Sequence, residues 1–473
     1  AAPEEHSKLP AVLDLETAQA IAVRSSPTLR AAATRIDQAQ AKVKQARAAY
    51  FPWLSLDSSA VATRLDANSY DQQSQIYYLL QNETSNPVTD LLVTELSGLP
   101  DVPIPERYLR VLVDALEEDP DFERSYVDYS LSFNLRWQIF DGLARKFTYA
   151  ATKYGVQEAE AAVRDARRLL LNAVATAYYT AALAREDMRV AEADEEFNLR
   201  LLEEAKARYE AGAAAYSDQL NFEVRANRGR SLLIQAQHNY AAARDALAEL
   251  LAVPQGRLPD EVRLAPLESE RPEEFERPDR DALVQYALEH RPDLERGRKS
   301  VDRTEASAKA WRGQRMPSVG LSAAHAATSR DDIGIDMDDF GSVVRLDVSV
   351  PIWTGGRNKA RVVEARAAHD EASYELHGTE IGVRTEVHRA MESLASAQEQ
   401  LILQRKNTRL VEENRDLVEK AYLAGQKSLV RLNEAQRDLL TAQGQLSLAR
   451  VGLRQAWHDL RTATAATLAR FDE

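Results

Sequence analysis

Residues 125–139 read Ser-Tyr-Val-Asp-Tyr-Ser-Leu-Ser-Phe-Asn-Leu-Arg-Trp-Gln-Ile. Val127, Tyr129, Leu131, Phe133, Leu135, Trp137 and Ile139 are apolar, and Asp128, Ser130, Ser132, Asn134, Arg136 and Gln138 between them are polar. Period two held over this length predicts a strand with one apolar and one wet face. A second such strand runs through Val344, Leu346, Val348, Val350 and Ile352, with Arg345, Asp347 and Ser349 on the other face. The rest of the chain reads as long helix. A soluble helical protein has little use for two such strands, whereas a barrel wall between lipid and water needs them.

Composition narrows the alternatives. The 473 residues carry a formal net charge of −14, which argues against nucleic acid as a partner. There are no cysteines, so thiolate metal sites, cysteine catalysis and lipidation through an N-terminal cysteine are excluded. Mean hydropathy is −0.44 and no window approaches the roughly 20 apolar residues of a spanning helix. That leaves barrel strands as the route into a membrane, since they are short and amphipathic. The opening Ala1-Ala2-Pro3 carries no basic, apolar leader, and the expectation is that a signal peptide has been removed.

The chain is internally duplicated. Ser26-Pro27-Thr28-Leu29 pairs with Arg291-Pro292-Asp293-Leu294, and Pro52-x-Leu54-x-Leu56 with Pro317-x-Val319-x-Leu321, both 265 residues apart (292 against 27, 317 against 52). Ile139-Phe140-Asp141-Gly142 pairs with Ile352-Trp353-Thr354-Gly355, and Tyr209-Glu210-Ala211-Gly212 with Tyr422-Leu423-Ala424-Gly425, both 213 apart (352 against 139, 422 against 209). Subtracting 213 from 265 leaves a 52-residue insertion in the first half, between Pro52 and Ile139.

Residues 1–252 therefore read as a first repeat, 253–279 as a linker and 280–473 as a second repeat. The first has a helix at 14–50, strands at 53–63 and 126–139 around an inserted loop at about 66–124, a long helix at 143–211 and a return helix at 217–252. The second has a helix at 280–316, strands at 318–328 and 342–353, a long helix at 356–424 and a return helix at 430–467. A helix over 143–211 is ~100 Å long, about the sum of the two shorter ones at 1.5 Å per residue. Each repeat is thus a coiled pair, one continuous helix beside two stacked ones. The seam is expected along Val163, Leu170, Ala177, Ala184 and Ala191, with Val174, Ala181 and Met188.

Four strands cannot close a barrel, and an open sheet edge cannot face lipid. Other copies must complete the wall: two chains give eight strands, three give twelve. Trp53, Trp137 and Trp353 fall at the helix-proximal strand ends, where an interfacial aromatic belt sits. The insertion, with a short helix expected near Glu106–Leu116, lies at the opposite end. Catalytic, metal and cofactor motifs are missing: there is no His-Glu-x-x-His and no Gly-x-Ser-x-Gly, and His369 with His377 has no third ligand at helical spacing. Thr354-Gly355-Gly356-Arg357-Asn358-Lys359 lacks the pattern of a phosphate-binding loop. The acidic run Glu268–Glu276 reads as a solvated, proline-rich linker.

These motifs, in order and twice over, resemble the TolC-like outer membrane efflux proteins. The resemblance rests on Pro351-Ile352-Trp353-Thr354-Gly355-Gly356-Arg357 running into an alanine-rich helix, on Tyr-x-x-Gly at each distal hairpin, and on Leu432-Asn433-Glu434-Ala435-Gln436-Arg437-x-Leu439. It covers nearly the whole chain except the insertion. It implies a mainly α protein with a membrane β-barrel, in which four strands per chain complete a twelve-stranded trimeric barrel and the duplicated helices form a coiled-coil tunnel across the periplasm. Such a homotrimer is a passive exit duct in the bacterial outer membrane, serving a tripartite efflux pump or type I secretion system. Its partners are outer membrane lipid, a periplasmic adaptor and an inner-membrane pump or ABC exporter, and it needs no cofactor and no catalytic site.

By the same resemblance the periplasmic gate falls on Ser217, Asp218, Tyr422 and Lys427, with Tyr422 and Lys427 donating to Asp218. The aperture ring falls on Arg431 and Glu434. Arg431 stands where the family has an acid, which weakens a preference for cations. Gly212, Ala213, Gly425 and Gln426 at the hairpin tips end helices and would also dock the adaptor. The alternative is a soluble periplasmic coiled-coil adaptor or scaffold, which would need a compact all-β domain beside one helical hairpin.

Overall fold

The computed structural model describes residues 9–70, 125–212, 215–267 and 269–471. The short helix expected at 106–116, most of the inserted loop, and Ala213 lie outside them. The chain divides into two units. A helical unit takes residues 1–46, 144–312 and 354–473, and a strand unit takes 47–143 and 313–353.

In the helical unit, α1 (Leu15–Ser25) and α2 (Pro27–Ala48) precede the long α3 (Ala144–Glu210) and its return helix α4 (Tyr216–Leu250). Then α5 (Arg280–His290) and α6 (Pro292–Gly313) precede the long α7 (Arg357–Leu423) and its return helix α8 (Leu429–Ala463). The lengths match pair by pair: 11 and 11, 22 and 22, 67 and 67, 35 and 35 residues. Asp14 and Asp279, 265 apart, cap α1 and α5 through their carboxylates. The α3 helix packs along α4 and α8, and α7 along α8.

The helices expected over 14–50 and 280–316 are each broken in two. Proline disfavours helical backbone at the residue before it. Ser26 sits at ψ 118° and Arg291 at ψ 125°, and Pro27 and Pro292 open the next helices. Both breaks are tied to the end of a return helix. Ser25 Oγ donates to the Leu251 carbonyl at 2.7 Å, and Arg291 Nη1 donates to the Ala463 carbonyl at 2.9 Å.

The seam of α3 is also displaced. The fully buried residues are Ala161, Leu171, Val174, Ala175, Ala181 and Ala182, while Val163, Leu170 and Ala177 are half-buried. Val174 and Ala181 are buried as expected, and with Leu171 and Tyr178 they keep the 3–4 spacing, so Leu171 and Tyr178 take the places expected of Leu170 and Ala177. One core joins Val174 and Tyr178 to Leu13, Leu247 and Leu251, and a second joins Val387 and Leu394 to Leu294, Leu453 and Leu460. Two short strands, β1 (Val12–Leu13) and β4 (Arg263–Leu264), pair in parallel beside the first core.

The linker is not a solvated run of acids. Glu270, with a side chain only 3 % exposed, is gripped by Arg405 and by Arg450, whose Nε lies 3.3 Å away. The Glu274 carbonyl accepts from Gln398 at 2.8 Å and from the Trp457 indole at 2.9 Å. Residues 269–277 are therefore strapped onto α7 and α8 through the Glu270 carboxylate and the Glu274 backbone, while Glu273 and Glu276 stay exposed.

The strand unit is a four-stranded antiparallel sheet of β2 (Trp53–Arg64), β3 (Ser125–Phe140), β5 (Ser318–Arg330) and β6 (Gly341–Ser349), in the order β2-β3-β5-β6. The last strand ends at Ser349 instead of 353, because Pro351 has no N–H to extend the ladder. Gly142 follows β3 with φ +66°, and Leu143 follows it with φ +68°. Their repeat partners, 213 residues on, are Gly355 and Gly356 at +60° and +80°. Glycine adopts this left-handed backbone freely and leucine does not, so Leu143 stores strain at its turn.

Candidate gate and channel surfaces

The two hairpin tips end in the same way. Gly212 (φ +70°) and Gly425 (φ +75°) take the left-handed conformation after α3 and α7. At the second tip the Gln426 amide donates to the Ala421 carbonyl at 2.8 Å and the Gly425 amide to Tyr422 at 2.9 Å, the bonds of a glycine-terminated helix. A Cβ on either glycine would meet nothing within 4 Å, so both tips are open to solvent and backbone conformation alone selects glycine.

Just behind the tips, Phe197, Leu201, Leu202, Ala205, Phe222, Ala226 and Leu432 form a third core, with Tyr422 packed against it. The Tyr422 ring stands edge-on to Phe222 at 6.3 Å, and the Arg208 guanidinium lies over it at 5.7 Å. Arg208 Nη2 also donates to the Leu423 carbonyl at 3.3 Å. Burial pushes the Tyr422 hydroxyl above its ordinary value; Arg208 opposes this, and the Asp218 and Glu204 carboxylates add to it. Tyr422 is thus a neutral donor at any physiological pH, within electrostatic reach of Asp218.

Asp218 is half-buried near Tyr422, while Ser217 and Lys427 are exposed. Among the described residues no hydrogen bond joins Tyr422 or Lys427 to Asp218. The cation that meets Tyr422 here is Arg208, which the sequence does not single out. It comes from the other repeat, 214 positions before Tyr422 (422 against 208), and no local pattern marks it. Arg431 Nη1 and Glu434 Oε2 lie 2.8 Å apart across one helical turn, so the two charges offset each other within one chain. Their side chains are 68 % and 50 % exposed, so the pair adds little stability.

Register sorts the three tryptophans. Trp137 stands with Leu135 and Phe133 on the apolar face, and its indole donates to the Tyr50 carbonyl at 3.0 Å. Trp53 pairs with Arg136 and therefore stands on the polar face. Its phase is visible in the sequence, since Trp53 alternates with Ser55, Asp57 and Ser59, not with Leu54 and Leu56. Trp353 lies beyond the end of β6 and is 87 % exposed. Of the three, only Trp137 thus shares the apolar face of the sheet, while Trp53 stands on the polar one.

Among the described residues no helix is long and apolar enough to cross a membrane. The apolar face of the sheet has a different character: Leu54, Leu56, Phe133, Val344, Leu346 and Val348 are all exposed. Among the described residues β2 and β6 each have a strand neighbour on one side only.

The family model for outer membrane efflux proteins matches residues 20–92, 110–253 and 283–466. The chain belongs to that family, and its function is that of an outer membrane export channel. It is 27 % identical over 271 residues to Protein CyaE of Bordetella pertussis, an alignment that spans 56 % of each chain. It is 26 % identical over 351 residues to the outer membrane efflux protein BepC of Brucella suis, covering 72 % of this chain and 71 % of BepC. The fold is similar to that of the outer membrane protein VceC of Vibrio cholerae, with a TM-score of 0.71, 18 % identity and 95 % of each chain covered. The helical tunnel and the four barrel strands expected from the sequence are the fold of these channels.

Proposed function

We propose that three copies of this chain join their sheets edge to edge into a twelve-stranded barrel. The observation that carries this reading is a strongly amphipathic four-stranded sheet open at β2 and β6. In lipid those edges must be paired, and four strands are too few to close on themselves. The α2 helix supports the same reading: of its 22 residues only Leu29 is buried within one chain. A helix of this length gains most of its stability from packing, so it awaits a neighbour.

The two repeats, 1–252 and 280–473, then supply the helical conduit across the periplasm, joined by the 253–279 linker. A periplasmic adaptor docks at the tips through Gly212, Ala213, Gly425 and Gln426, and an inner-membrane pump or ABC exporter supplies the energy. BepC is named as an efflux protein. Drugs, other small molecules or proteins are the cargo classes of such a duct. Ser217, Asp218, Tyr422 and Lys427 form the gate. In the closed assembly Tyr422 would donate to Asp218, a bond that one chain by itself does not make, while Arg208 anchors the tyrosine and Lys427 reaches a neighbouring chain.

Each exposed link of this kind contributes about 1 kcal/mol or less, so loss of two shifts the closed-to-open ratio about tenfold. Tyr422→Phe combined with Lys427→Ala should therefore raise single-channel conductance in planar bilayers. Unchanged conductance would remove these residues from the gate and leave the channel reading intact.

A further inference from the structure

Four side chains from the four strands stand in one rung. Trp53 on β2 lies opposite Arg136 on β3, Arg136 opposite Ser322 on β5, and Ser322 opposite Arg345 on β6. All four share the polar face, since Arg136 is in phase with Asp128, Ser132 and Asn134. The neighbouring rung, Leu135-Ala323-Val344, points to the apolar face. The two arginines are two strands apart, about 10 Å at the usual inter-strand spacing. Strand tilt in a barrel offsets them by only about 6 Å along its axis.

Neither guanidinium is committed elsewhere. Among the described residues neither Arg136 nor Arg345 takes part in an ion pair, and both are exposed. Other charges on this face have partners. Arg330 Nε lies 3.1 Å from Asp128, and Asp57 accepts from Ser55 at 2.8 Å and Asn134 at 2.9 Å. Arg136 rests over the Trp53 ring at 5.9 Å, which steadies the cation while leaving its N–H groups free to donate. One anion stands close by: Asp347, two residues along β6 from Arg345, accepts from Ser322 Oγ at 3.4 Å. At this level each chain therefore presents two cations against one anion.

We infer that Arg136 and Arg345 form an anion-binding collar on the water-filled face of the barrel, favouring carboxylate- or phosphate-bearing solutes in the exit path. The inference rests on the trimeric barrel proposed above, which repeats the rung three times and sets six arginines around one lumen. Guanidinium binds carboxylate and phosphate bidentately, and rings of arginine are a general device for anion pores. Low-dielectric walls focus the field of such a ring. Trp53 beside each Arg136 offers an apolar platform, so organic anions with a flat ring fit better than small inorganic ones.

The test uses the purified assembly in planar bilayers, with inositol hexakisphosphate added as a polyanion and hexaamminecobalt as a trication. The native channel is expected to be blocked by the polyanion. In the double variant Arg136→Gln, Arg345→Gln the blocking concentration should rise about tenfold or more, with block by the trication no weaker. The charge-preserving pair Arg136→Lys, Arg345→Lys should retain most of the block, which separates charge from misfolding. Equal block of the native and glutamine channels, or no block of the native one, would overturn the collar while leaving the trimeric duct standing. If the native protein forms no channels at all, the barrel reading fails and the collar fails with it.

Discussion

Arg291→Ala should destabilise the helical unit by about 3–5 kcal/mol, the cost of removing one partner from a buried ion network. The Arg291 side chain is 4 % exposed. It holds Asp293 bidentately at 2.8 and 3.0 Å, Glu386 at 2.6 Å and the Ala463 carbonyl at 2.9 Å. Burial opposes both charges. Even so, the bonds to Asp293 and Glu386 hold Arg291 above its ordinary value, and the bonds from Arg291 hold Asp293 below its own. A depressed carboxylate stabilises the fold above its unfolded value, and that contribution is lost as pH falls below about 4. The alanine variant leaves Asp293 and Glu386 with Arg168 as their remaining nearby cation and frees the end of α8. Arg291→Lys should rescue little, since one ammonium cannot bridge Asp293 in two places. Arg277→Ala is the control: its pair with Glu399 is 71 % and 73 % exposed, so its loss should change little. Denaturant unfolding followed by helical circular dichroism reads all three. An Arg291→Ala midpoint as high as that of Arg277→Ala would mean that the network carries no stability.

Gly142→Ala should be the most damaging methyl added to any glycine among the described residues. Gly142 has φ +66°, where an L-residue costs roughly 1–2 kcal/mol. The new Cβ would also lie 2.1 Å from the Gly313 carbonyl oxygen and 2.5 Å from Met316 Cβ. Both belong to the turn that feeds β5, where the Met316 amide donates to Gly313 at 2.9 Å. Neither is the tip of a flexible side chain, so the turn must move, and overpacking adds about 1–3 kcal/mol. Gly355 is its repeat partner, with φ +60° and nothing within 4 Å of an added methyl. Gly355→Ala therefore costs the backbone strain alone. The yield of assembled protein in outer membranes should fall sharply for Gly142→Ala and modestly for Gly355→Ala. Equal yields would show that the turn adjusts without cost.

Much of this fold is legible because its signals are periodic. The alternation from Val127 to Ile139 marks β3, and the 265- and 213-residue offsets predict matching helices and strands. Local chemistry that competes with periodicity is harder to weigh. Pro27 and Pro292 mark the repeat, yet periodicity alone carries a helix through them, although the residue before a proline resists helical backbone. Position along the strand groups Trp53 with Trp137, while its phase places it with Ser55 and Asp57. The remainder depends on contacts remote in sequence. Glu270 meets Arg405 and Arg450 more than a hundred residues away, and Arg208 meets Tyr422 across the two repeats. Their residue types carry no sign of the partner, so a buried Glu270 reads in sequence like any solvated acid. The gate illustrates the same limit from the other side, because on the proposed reading Lys427 is completed only by a neighbouring chain.

Open sheet edges at β2 and β6 make the twelve-stranded trimer the central claim, and native mass spectrometry of protein extracted from outer membranes in mild detergent tests it most directly. The expected species has three times the 52.8 kDa of one chain. A dimer would mean an eight-stranded wall and a different tunnel, and a water-soluble monomer would contradict the channel outright.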